Sequence, residues 1–79
     1  MKELILDTET TGLGESSEIV EICIIDIEGN ILLDSLVKPS LPIPQEASEI
    51  HGIYDEHVKD APTWEQIYPL LLEIIGSNK

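Results

Sequence analysis

Near its start the chain reads ELILDTETTGL, an unbroken apolar run (Leu4, Ile5, Leu6) that leads straight into two acids one residue apart, Asp7 and Glu9. A continuous apolar run, unlike an alternation, suits a strand covered on both faces. Residues 3–7 are therefore predicted as a short strand inside a sheet, with carboxylates at its end, where unpaired charge is costly. Side chains two apart on extended backbone point to the same side. Two carboxylates held that way repel unless a cation or a proton relieves them. Hard divalent ions such as Mg²⁺ and Mn²⁺ accept such an oxygen-rich setting. A rigid strand end also suits a site where two ions sit about 3.5–4 Å apart to clamp a phosphoryl displacement. Taken alone, the D-x-E triplet reads as two solvated acids at a strand end.

The rest of the chain supplies few elements. Residues 10–18 form a polar, glycine-containing loop. IVEICIIDIEGNILLDSLVKP then gives a second and a third strand, and the EGN between Ile27 and Ile31 marks a tight antiparallel hairpin. PSLPIP is an extended connector. Residues 45–51 read as a short helix stopped by Gly52. A longer helix starts at Thr63, where Thr63-x-x-Gln66 is a capping box, and Pro69 removes one of its backbone bonds. Trp64, Ile67, Tyr68, Leu71, Ile74 and Ile75 recur at helical spacing, so one face packs on the sheet. The fold class is α/β, in the order β-β-β-α-α. Hairpin logic puts both other strands on one side of the first, leaving its far edge bare for another chain.

At 79 residues and 42% hydrophobic, the sequence fits one small globular domain. Such a chain buries only roughly 60% of the surface its unfolded form exposes. Sixteen acids against four lysines give a net charge of −12. No basic patch is available to neutralise phosphates, so composition speaks against a nucleic-acid partner, unless a bound metal reverses the sign locally. No apolar run approaches the roughly 18 residues of a membrane span, so no membrane partner is expected. The start, MKELILDTE, lacks a signal-peptide core, and Cys23 has no disulfide partner, so the expected location is cytoplasmic. Asp7, Glu9, Thr11, Gly12 and Glu18 also fall at positions 1, 3, 5, 6 and 12 of a calcium-loop template. That loop lies between two helices, whereas this one lies between two β-like runs.

Taken whole, ILDTETTGL resembles the first motif of the DEDD superfamily of 3′–5′ exonucleases, which have a ribonuclease-H-like fold. It is most similar to the DEDDh-type branch that includes the proofreading epsilon subunit of bacterial DNA polymerase III. The resemblance continues through EIVEICII, VKPSLPIPQEASEIHGI and APTWEQIYPLLLEIIG, and so covers essentially the whole chain. It implies the N-terminal portion of a single exonuclease domain over residues 1–79, cut to three antiparallel strands and two helices.

The implied roles follow motif by motif. Asp7 and Glu9 would be the catalytic, metal-binding acids of a site for two divalent ions, Mg²⁺ or Mn²⁺, with Asp7 bridging both. Thr10, Thr11 and Gly12 would meet the 3′-terminal nucleotide of a single strand of DNA or RNA, with Leu13 lining its pocket. Ile50 and His51 would flank its sugar and base. On residues alone, His51 reads as a helix-end histidine bonded to a local carbonyl. His57 and Cys23 match no functional position and are assigned to surface and core, and Trp64 and Tyr68 to helix packing. Tyr54 stands where a small hydroxyl residue is expected, though Asp55 could cap the next turn. The family's two later aspartates and its general-base histidine have no counterpart here, so this chain alone is expected to bind metal weakly and to be inactive. Three readings stay open: a fragment of a 3′–5′ exonuclease, a non-catalytic interaction module that dimerises or pairs along its first strand, and one piece of a split enzyme.

Overall fold

The computed structural model describes residues 3–12 and 14–77. Three strands come first: β1 (Leu4–Thr10), β2 (Ile19–Asp26) and β3 (Ile31–Leu36). They form one antiparallel sheet in the order β1-β2-β3. Three helices follow: α1 (Gln45–His51), α2 (Asp55–Val58) and α3 (Trp64–Ser77). This is the expected mixed α/β plan, with one short helix more than the sequence suggested.

The hairpin closes on Asp26. Its Oδ1 accepts from the Glu28 and Asn30 amides at 3.0 and 2.9 Å, and Gly29 takes a φ of 89°. That left-handed conformation carries a steric penalty for any residue with a Cβ. Gly52 ends α1 in the same way, with a φ of 76° and its amide bonded to the Ser48 carbonyl. At α3, Gln66 forms half of the capping box, its Oε1 accepting from the Thr63 amide at 2.9 Å. Pro69 lies inside α3 without ending it.

All helices cover one face of the sheet. Val20, Ile22 and Ile24, alternating along β2, are 0, 1 and 2% exposed. Val20 packs with Ile43, Ala47, Ile53 and Val58, beneath α1 and α2. Ile22 and Ile24 pack with Val37 and Ile67, flanked by Trp64, Leu71 and Ile74 of α3. Tyr68 and Ile75, assigned by periodicity to this face, are 46 and 43% exposed, so the buried stripe is narrower than the pattern implied.

Three expectations are corrected. The first strand does not stop at Asp7 but continues to Thr10, because residues 4–10 all find partners on β2. Among the described residues β1 is the edge strand that the hairpin placed there, but its apolar run is not covered on both faces: Ile5 and Leu6 are 53 and 58% exposed. Cys23 is not a core residue. It alternates with Ile22 and Ile24 and so lies on the sheet face away from the helices, partly exposed.

Candidate active site

The register of β1 on β2 decides where the two acids lie. Asp7 stands opposite Cys23, and Glu9 opposite Glu21. Directly opposed residues share a sheet face, so Asp7, Glu9, Glu21 and Cys23 lie together on the face without helices. Asp34, opposite Cys23 on β3, joins them. The thiol registers this company: burial pushes the Cys23 pKa up from its usual 9.0, and the carboxylates of Asp34, Asp7 and Glu21 push it further. Among the described residues no three His, Cys, Asp or Glu side chains are grouped to hold a metal ion. The donor chemistry of Asp7 and Glu9 suits a hard divalent ion, but two carboxylates do not complete a coordination shell.

Beside the acids, a cleft of about 580 Å³ opens between the end of β1 and α1. One wall is Thr8, Glu9, Thr10, Thr11 and Gly12; the other is Pro44, Glu46, Ala47, Ile50 and His51. Six residues singled out in the sequence thus meet in one place, although α1 lies some forty positions beyond β1. Asp7 is not among the lining residues and stays on the open sheet face. Leu13 lies outside the described residues.

His51 joins the two walls. Its Nε2 is 3.1 Å from the Thr10 carbonyl oxygen, and its Nδ1 accepts from the Ile53 amide at 3.0 Å. A carbonyl can only accept and an amide only donate, so both bonds are made by the tautomer carrying hydrogen on Nε2. The local-carbonyl reading of His51 is therefore replaced by a bond across the cleft. Ile50, 85% exposed, stands free at the cleft's mouth. His57 is exposed, as assigned, and its Nδ1 accepts from the Tyr54 amide at 2.9 Å. Asp55 does not cap the turn; its Oδ1 accepts from the Ile43 amide at 2.8 Å and ties α2 to the connector.

Two residues of this region escaped the sequence reading. Glu46 brings a second carboxylate to the cleft, beside Glu9, from the first turn of α1; its place after Pro44-Gln45, at a helix start, was the available signal. Glu18 was weighed only as a calcium-loop position. Its Oε1 accepts from the amide and the hydroxyl of Ser40, both at 2.9 Å, and its Oε2 from the Leu41 amide at 3.3 Å. The Ser40 amide bond is the main cause that holds the Glu18 pKa below its usual 4.5; desolvation opposes it, and the Ser40 hydroxyl and Leu41 amide add to it. A depressed carboxylate stabilises the fold above its unfolded-state pKa, and that contribution disappears as pH falls through the lower folded-state value. Thermal melts from pH 7 down to pH 3 should therefore fall less steeply for Glu18→Gln than for the parent. Parallel curves would show that these bonds do not distinguish folded from unfolded chain.

Comparison with known proteins identifies the family. The RNase T family model, described as an exonuclease, matches residues 4–79. The chain is 62% identical over 65 residues to the uncharacterized exonuclease CP81 of Escherichia phage 186, covering 82% of this chain and 34% of that protein. It is 39% identical to the DNA polymerase III subunit epsilon of Rickettsia conorii, covering all of this chain and 37% of that subunit. For the epsilon subunit of Aquifex aeolicus the identity is 32%, over 95% of this chain and 39% of that one. The chain thus spans little more than a third of the length of these relatives. Its three antiparallel strands and following helices are what a truncated ribonuclease-H-like domain contains. No helix of the described residues is long and apolar enough to cross a membrane. Matched by that family model from its fourth residue to its last, the chain belongs to the exonuclease family.

Proposed function

We propose that the cleft between β1 and α1 receives the 3′-terminal nucleotide of a single nucleic-acid strand, in a metal-dependent 3′–5′ exonuclease site of which this chain carries the first part. The observation that supports this most is the meeting of Glu9 and Thr10–Gly12 with Ile50 and His51 around one cavity. Asp7 and Glu9 would hold Mg²⁺ or Mn²⁺. Ions bound there would supply the positive charge that phosphodiester hydrolysis needs and that a chain of net charge −12 otherwise lacks. Thr10, Thr11 and Gly12 present the edge that the nucleotide meets. His51, by holding the Thr10 carbonyl, keeps that edge turned toward α1. Ile50 offers an apolar surface to the base. The chain contributes two metal carboxylates and no general base, so turnover by this segment alone is negligible.

The test separates binding from turnover. With Mn²⁺ and thymidine 5′-monophosphate, the amides of Thr10–Gly12 and Ile50–Ile53 should shift saturably in NMR spectra, and Asp7→Ala should weaken the response. Release of nucleotides from a 3′-labelled strand should stay near background. Amides that do not move would sink the reading.

A second reading is favoured by the exposed Ile5 and Leu6 on the open edge of β1. An unpaired edge invites another strand, from a second copy or from a second polypeptide carrying the remaining site residues. Solution mass and Mn²⁺-dependent hydrolysis on mixing distinguish those partners.

A further inference from the structure

We infer that Glu18 is a positioning residue that sets the width of the cleft by fastening the segment before α1 to the turn after β1. Its main chain grips the turn twice. The Thr11 amide donates to the Glu18 carbonyl at 2.8 Å, and the Glu18 amide donates to Thr11 Oγ1 at 2.9 Å. Its carboxylate grips the segment that leads to the other wall, through the three donors of Ser40 and Leu41. Thr11 lines the cleft directly, and Leu41 leads through Pro42, Ile43 and Pro44 into α1. Proline fixes φ, so a connector with prolines at 42 and 44 transmits a shift at Leu41 instead of absorbing it. One residue, on neither wall, therefore holds both.

The far end of the cleft has its own tie, from His51 to the Thr10 carbonyl. The helix that carries Glu46, Ala47, Ile50 and His51 is thus braced to β1 before its first turn and at its last. Glu18 and His51 are not hydrogen-bonded to each other, so a response of one to the loss of the other reports movement of the wall between them. A surface carboxylate that merely satisfied two loop amides would give no such response.

The functional half of this inference rests on the nucleotide site proposed above, and the experiment keeps the two apart. Long-range ¹H–¹⁵N spectra of the His51 ring, without ligand, should show the tautomer with hydrogen on Nε2 in the parent protein. In Glu18→Ala those ring signals should move toward a tautomer mixture while the amides of β2 and β3 stay in place. Glu18→Gln keeps one acceptor oxygen for Ser40 and should restore most of the parent spectrum. Ser40→Ala, which removes one donor of three, is the milder substitute should Glu18→Ala lose the β2 and β3 signals. Affinity for thymidine 5′-monophosphate with Mn²⁺ should fall about tenfold in Glu18→Ala, as expected if the competent cleft is populated to about a tenth. A parent-like His51 spectrum in Glu18→Ala overturns the inference, whatever the nucleotide does. A shifted spectrum with unchanged affinity overturns the link to the cleft. A parent that ignores the nucleotide, while Glu18→Ala still shifts the ring, supports the brace and removes the substrate reading instead.

Discussion

Ile22→Ala should unfold most of the molecule, or lower its melting temperature by at least about 8 °C, followed by circular dichroism. Ile22 is 1% exposed and packs with Ile24, Val37 and Ile67 at the junction of sheet and α3. Truncating such a residue removes transfer energy and leaves a cavity, which together cost about 2–5 kcal/mol. A chain of this length has about 4–12 kcal/mol of stability in total, and a small domain lies toward the lower end. Each kcal/mol shifts the melting point of a domain this size by about 4–8 °C. Ile31→Ala is the control. Ile31 is equally hydrophobic in sequence but 66% exposed, and its loss should stay within about 0.5 kcal/mol. Equal effects at the two positions would refute a core confined to one face of β2.

That contrast also marks what sequence alone can decide. Local signals were legible wherever local physics governs: the EGN turn, Gly52 closing α1, and Gln66 at the start of α3. That Glu9, the Thr10–Gly12 turn, Ile50 and His51 would be neighbours was legible because two motifs stood in the right order; that Asp7 stays outside their cleft was not. Quantities fixed by distant partners were not. The length of β1 is set by β2, which keeps residues 8–10 extended although their composition reads as loop. Cover over Ile5 and Leu6 depends on elements that an apolar run cannot name. The tie from His51 to Thr10 spans 41 positions and that from Glu18 to Ser40 spans 22; no periodicity encodes either. Asp55 looked like a cap because capping is a local property, but its carboxylate accepts from the Ile43 amide, twelve positions away, which local sequence does not signal.

Glu9→Gln should change stability and metal response in opposite directions. Glu9 and Glu21 face one another across β1 and β2 on the sheet face that also carries Asp7 and Asp34. Like charges directly opposed in a sheet cost about 0.2–1 kcal/mol, with partial exposure and salt reducing the figure. Neutralising Glu9 should therefore raise the melting temperature by a few degrees at low salt, and by less at high salt. If Glu9 is also a metal carboxylate, the same change should weaken the Mn²⁺-dependent nucleotide response about 100-fold, a loss of roughly 2.7 kcal/mol, within the several kcal/mol such an ion supplies. Glu21→Gln separates the two effects, because it relieves the same repulsion from the other strand. It should stabilise the fold equally and leave the Mn²⁺ response intact. Were Glu21→Gln to lose that response as fully as Glu9→Gln, the metal site would belong to the acidic face as a whole and not to the D-x-E pair. Were neither to stabilise, the opposed carboxylates would already be relieved in solution, and the cost of holding Glu9 beside Glu21 would vanish from the argument. With both outcomes as expected, Glu9 costs the fold stability through its opposition to Glu21 and contributes metal binding through its place beside Asp7.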